Sequence, residues 1–79
     1  MYFVINACIL MRTERGRSDD VVAKVKQLGG VKVAFSTLGR YDVVVDIEVE
    51  DFKTLGQLVQ KISRLSGVVF TETLVELQA

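Results

Sequence analysis

Seventy-nine residues, 49% of them apolar, with ten Lys and Arg against ten Asp and Glu, one cysteine and no histidine, describe one small domain spanning 1–79. A chain this short buries only roughly 60–65% of its unfolded surface, so it needs a disulfide, a metal or partner subunits to be secure. Cys8 alone closes no internal disulfide, the Cys and His count cannot supply a structural zinc site, and the charge balance lacks the basic excess with which nucleic-acid binders neutralise phosphate; association with further copies is the route that remains.

Residues 1–11, MYFVINACILM, fall short of the roughly 20 apolar residues that cross a bilayer, and they lack the basic start and small-residue cleavage site of a signal peptide. A cytoplasmic protein without membrane contact is expected. Residues 2–11 read as a strand covered on both faces, with Phe3, Ile5, Ala7, Ile9 and Met11 on one side and Tyr2, Val4, Cys8 and Leu10 on the other, broken only by Asn6. Thr13 to Arg17 is a polar connection. Arg12, Arg15 and Arg17 read as a solvated basic cluster beside Glu14, Asp19 and Asp20. Ser18 is placed as the cap of a first helix, with Asp19 and Asp20 in its first turn. Val21, Val22, Val25 and Leu28 form its apolar stripe, and Gly29-Gly30 ends it.

Val31 to Leu38 is a second strand, and Gly39-Arg40 suits a tight hairpin turn into a third, Tyr41 to Glu50. The third strand alternates cleanly, Val43, Val45, Ile47 and Val49 against Asp42, Val44, Asp46 and Glu48. Asp51 caps a second helix carrying Phe52, Leu55, Leu58, Val59, Ile62 and Leu65; Ser66-Gly67 stops it, and Val68 to Leu77 is the last strand. Leu28-Gly29-Gly30-Val31 recurs 37 residues later as Leu65-Ser66-Gly67-Val68. The order is βαββαβ, which predicts an α+β, ferredoxin-like fold: a four-stranded antiparallel sheet with both helices on one face. The apolar first and last strands then demand a cover for the other face, and face-to-face packing in a homodimer is expected. The surface that copies hide is taken to include Ile5, Ile9 and Met11.

The chemistry of several ferredoxin-like families is missing. There is no Cys-x-x-Cys loop, no aromatic residue within 43–49 for stacking bases, and no GxxxxGK phosphate loop. Asp46 and Glu48, two apart on one strand, leave acid–base catalysis open beside the plainer reading as a solvated charge row. Two stretches suit a ligand. In Thr37-Leu38-Gly39-Arg40-Tyr41-Asp42, the glycine presents backbone N–H groups to a carboxylate and Asp42 is placed to pair an α-ammonium. In Thr71-Glu72-Thr73, two hydroxyls share an otherwise apolar strand face. Gly39 also serves the hairpin and paired threonines also serve a strand, so both stretches have an explanation without a ligand.

The strings LGRYDVVVDIEVED and ISRLSGVVFTETL resemble the effector domain of the Lrp/AsnC transcription regulators over essentially the whole chain. The resemblance implies sheet-to-sheet dimers assembled into octamers or similar rings. A free amino acid would lie between dimers, its head group on Gly39, Arg40, Tyr41 and Asp42, with Thr71, Glu72 and Thr73 coming from a neighbouring subunit. It implies no catalytic residue, no metal and no cofactor. Full-length members carry a helix-turn-helix domain, whereas here Met1 opens into the first strand. The expectation is a stand-alone effector domain that does not contact DNA and acts through full-length Lrp/AsnC-type regulators. Two other readings stand beside it: a small dimeric α+β-barrel enzyme of monooxygenase or isomerase type, and an ACT-type amino-acid-binding domain paired edge to edge.

Overall fold

The computed structural model describes residues 3–77 and contains the six elements in the expected order: β1 (Ile5–Thr13), α1 (Ser18–Val25), β2 (Val31–Ser36), β3 (Val43–Val49), α2 (Phe52–Ser63) and β4 (Val68–Val75). The strands form one sheet in the order β2-β3-β1-β4, each neighbouring pair antiparallel. This is the ferredoxin-like arrangement of two interleaved βαβ halves. Among the described residues no helix is long and apolar enough to cross a membrane.

Register fixes the faces. Ile9 lies opposite Val45 on β3 and Thr73 on β4, and Met11 lies opposite Val43 and Thr71. Directly opposed residues share a face, so these side chains all lie on one side of the sheet. That side carries the core, where Ala7, Ile9, Met11, Ala34 and the alternating valines and Ile47 of β3 pack with Val21 and Val25 of α1 and Leu55, Leu58 and Ile62 of α2. Ile9 and Met11 are fully buried within one subunit, and Ile5 is half-buried against the same core. The sequence expectation that these three face other copies is therefore corrected. β1 is apolar on both sides, so its own pattern does not say which set the helices cover; pairing with the cleanly alternating β3 does. Tyr2, expected on the opposite side, lies outside the described residues.

The helices differ in how they start. Asp51 caps α2 as expected, its Oδ1 accepting the Thr54 N–H at 2.7 Å, and this bond holds its carboxyl below the ordinary value. Ser18 does not cap α1. It is the first helical residue, and Arg17 stands at the cap position without a side-chain bond to the helix N-terminus. α1 is also shorter than its apolar stripe, with Leu28 packing from the turn that follows.

The repeated tetrapeptides form matching turns. Val31 donates its N–H to the Leu28 carbonyl at 3.3 Å and Val68 to the Leu65 carbonyl at 3.2 Å. Gly30 and Gly67 both adopt positive φ, +94° and +97°. Their carbonyls are engaged alike: Gly30 accepts from the Glu48 N–H at 2.9 Å, and Gly67 from the Glu14 N–H at 2.7 Å.

Candidate functional site

The connection between β2 and β3 is longer than the two-residue turn expected from Gly39-Arg40, and it occupies residues 37–42. One side-chain bond and one backbone bond close it. The Thr37 hydroxyl donates to the Tyr41 carbonyl at 2.6 Å, and the Thr37 N–H donates to the Asp42 carbonyl at 2.8 Å. Asp42 then turns away from β2 toward β1: its N–H donates to the Met11 carbonyl at 2.8 Å, and its Oδ2 accepts the Thr13 N–H at 2.8 Å. Gly39, at φ +145°, occupies backbone space that favours glycine, with nothing within 4 Å of where a Cβ would stand.

The connection leans over the sheet face that the helices leave open. A cleft of about 400 Å³ lies there, lined by Arg12, Arg40, Tyr41, Phe70 and Glu72. β1 runs on to Thr13, which puts Arg12 inside the strand, opposite Phe70 of β4. The Arg12 Nε donates to the Arg40 carbonyl at 3.2 Å, and the Tyr41 hydroxyl donates to Glu72 Oε1 at 2.8 Å. The bond to Glu72 is the main reason the Tyr41 phenol is pushed up from its ordinary value; its partial desolvation and the Glu72 charge add to this, and the Arg40 and Arg12 charges oppose it.

Of the residues singled out in the sequence, Arg40, Tyr41 and Glu72 meet in this cleft, and Gly39 shapes the loop above it. Asp42 does not line it, because its carboxylate is turned to Thr13. Thr71 and Thr73 lie opposite Met11 and Ile9 on the helix side of β4, so one subunit does not bring them together with Glu72. An extra residue, Val69, sits where the β1–β4 register shifts and ends the regular alternation. Arg12 was missed by treating it as part of a solvated cluster. The available signal was strand parity, two residues on from Leu10. Arg17, read into the same cluster, bonds Asp20 Oδ2 at 3.0 Å and Ser66 Oγ at 3.2 Å, which pins the turn before β4.

Beside the cleft the open face carries an apolar patch, with Asp46 and Glu48 further along it. Phe35, Phe70 and Leu74 are 47%, 50% and 49% exposed, and Leu10, Val44 and Cys8 lie between them by register. The Cys8 thiol is raised, first by burial and then by the charge of Asp46 opposite it. Asp46 is exposed, and Glu48 is within 3.5 Å of the Lys32 ammonium. Among the described residues no group of three or more Cys, Asp or Glu is arranged to hold a metal ion.

Comparison with known proteins identifies the domain. Residues 6–79 match the Lrp/AsnC ligand binding domain. The HTH-type transcriptional regulator FL11 of Pyrococcus furiosus is 27% identical over 74 residues, 94% of this chain and 49% of that protein, so the chain spans about half the length of this curated relative. Among solved structures, TTHA0845 of Thermus thermophilus superposes with a TM-score of 0.89 at 32% identity, covering 95% of both chains. AsnC of E. coli superposes with a TM-score of 0.84 at 25% identity, over 95% of this chain and 52% of that one. The hairpin and acidic third strand that carried the sequence resemblance fall inside the matched region, and the chain belongs to the Lrp/AsnC family of regulatory ligand-binding domains.

Proposed function

We propose that this domain is a cytoplasmic, oligomeric amino-acid-binding module that modulates transcription through full-length Lrp/AsnC-type regulators, without reading DNA or catalysing a reaction itself. The observation that carries the reading is the position of the cleft, beside an apolar patch of the sheet face that no described element covers. Copies packed through that face hide Phe35, Phe70 and Leu74, and assembly of such dimers into an octamer or similar ring brings other subunits against the cleft. A volume of about 400 Å³ accommodates a small ligand.

Within the cleft, Gly39, Arg40 and Tyr41 face the head group. Glu72, the carboxylate that lines it, takes the ammonium in place of Asp42, whose part is to tether the loop to Thr13. Thr71 and Thr73, on the other side of β4, serve a neighbouring subunit's ligand. A ligand held across an interface favours the assembly it bridges, which converts binding into a change of oligomeric state.

Screening the standard amino acids by thermal shift and native mass spectrometry tests this reading. A stabilised assembly with one or a few of them is expected; no response to any at millimolar concentration would sink it. Mixed oligomers with a full-length regulator in the same spectra test the partner. Edge-to-edge rather than face-to-face sheet pairing would favour the ACT-type alternative.

A further inference from the structure

We propose that the cleft selects an amino acid whose side chain carries a second carboxylate, aspartate or glutamate, and that Arg12, which lies outside the hairpin, is the selecting residue. The inference rests on the amino-acid-binding reading above. Three full charges line the cleft: Arg12, Arg40 and Glu72. A zwitterionic head group matches one guanidinium with its carboxylate and Glu72 with its ammonium, which leaves one arginine over. An acidic side chain supplies the missing anion. A neutral side chain leaves the second guanidinium unmatched, and a basic one is repelled by it.

The structure distinguishes the two arginines. Arg12 is anchored twice: its stem rises from a paired position in β1 opposite Phe70, and its Nε is held by the Arg40 carbonyl at 3.2 Å. That bond orients the planar fork and leaves the terminal nitrogens for a bidentate carboxylate. Among the described residues neither Arg12 nor Arg40 forms an ion pair with a carboxylate of the chain, in contrast to Arg17, which Asp20 holds. Arg40, on the loop, is suited to the α-carboxylate beside Gly39. Glu72 is already oriented by the Tyr41 hydroxyl on Oε1, which leaves Oε2 for the ammonium.

The test is calorimetric titration of the full chain, at neutral pH and low salt, with L-glutamate, L-aspartate, L-glutamine and L-asparagine. The acids are expected to bind about tenfold more tightly than their isosteric amides, the scale of one charge-assisted pair. Arg12→Met is expected to weaken the acids more than the amides and so to close the gap between them, whereas Arg12→Lys keeps part of the preference. Arg12→Gln is a second neutral variant with the same expected outcome, and circular dichroism verifies that each is folded. Amides bound as tightly as acids by the wild type, or a preference that survives Arg12→Met and Arg12→Gln, overturns the inference. Those results leave amino-acid binding itself standing. Failure of every amino acid to bind removes both.

Discussion

The Tyr41 hydroxyl donates a 2.8 Å hydrogen bond to Glu72 Oε1 and so ties the β2–β3 loop to edge strand β4 over the top of β1. Ionising this phenol would set a phenolate against a carboxylate, so the proton is retained above the ordinary value of 10.0. The unfolded chain releases that proton at lower pH than the folded one. The contribution of the bond to stability is therefore complete below the unfolded phenol's pKa and disappears as pH rises through the folded value. Alkaline absorbance titration of wild type, Tyr41→Phe and Glu72→Gln is expected to show a late-ionising tyrosine that Tyr41→Phe removes and Glu72→Gln shifts downward. Superimposable titrations of wild type and Glu72→Gln would contradict the assignment.

Neighbouring positions on the sheet are expected to fail in different ways. Ile9→Ala opens a hole in the subunit core, at a cost of about 2–5 kcal/mol in urea unfolding. Phe35→Glu puts a charge on the open face; it is expected to leave the circular dichroism spectrum unchanged while lowering the molar mass seen by light scattering. An undiminished mass for Phe35→Glu would show that the open face is not the contact between copies.

Two glycines with positive φ are expected to respond unequally to alanine. A Cβ at Gly30 meets Val49 Cγ1 at 3.0 Å and Leu58 Cδ2 at 3.2 Å, so Gly30→Ala combines backbone strain with overpacking, about 2–6 kcal/mol in total. Gly39→Ala meets no atom within 4 Å and carries backbone strain alone, about 1–3 kcal/mol. Denaturant unfolding at one fixed protein concentration checks the order.

Asp42→Ala is expected to lower stability by about 1–3 kcal/mol, because it strips the part-buried Thr13 N–H of its acceptor. Asp42→Asn keeps an acceptor and is expected to recover most of the loss in the same urea experiment.

At acid pH the α2 cap is the group to follow. The Thr54 N–H holds the Asp51 carboxyl below its ordinary value of 3.8. The stability it contributes is present above the unfolded pKa and is lost as pH falls through the lower, folded value. Asp51→Ala is therefore expected to narrow the stability gap to wild type as pH drops into that range, as measured by thermal melts across acid buffers.

Much of this was legible in the sequence for identifiable reasons. β3 alternates charged and β-branched residues, so its faces are unambiguous, and Asp51 announces its helix because a carboxylate accepts a first-turn N–H. The paired Leu-x-Gly-Val strings were readable as turns because both glycines adopt a conformation other residues resist. What did not show in the sequence depended on long-range pairing. The faces of β1 are decided by its register with β3. Asp42 is claimed by Thr13, 29 residues away. Thr71 and Thr73 part from Glu72 because side chains alternate along a strand, and Arg12 enters the cleft only because β1 continues past Met11.

The paired turns before β2 and β4 bind the molecule in a reciprocal clasp. The first βαβ half offers its Gly30 carbonyl to Glu48 of the second, and the second returns Gly67 to Glu14 of the first. Neither half can peel away without breaking a bond that belongs equally to the other, so the domain should open as one cooperative unit. Deuterium should then enter the Glu14 and Glu48 amides at a common rate, that of global unfolding.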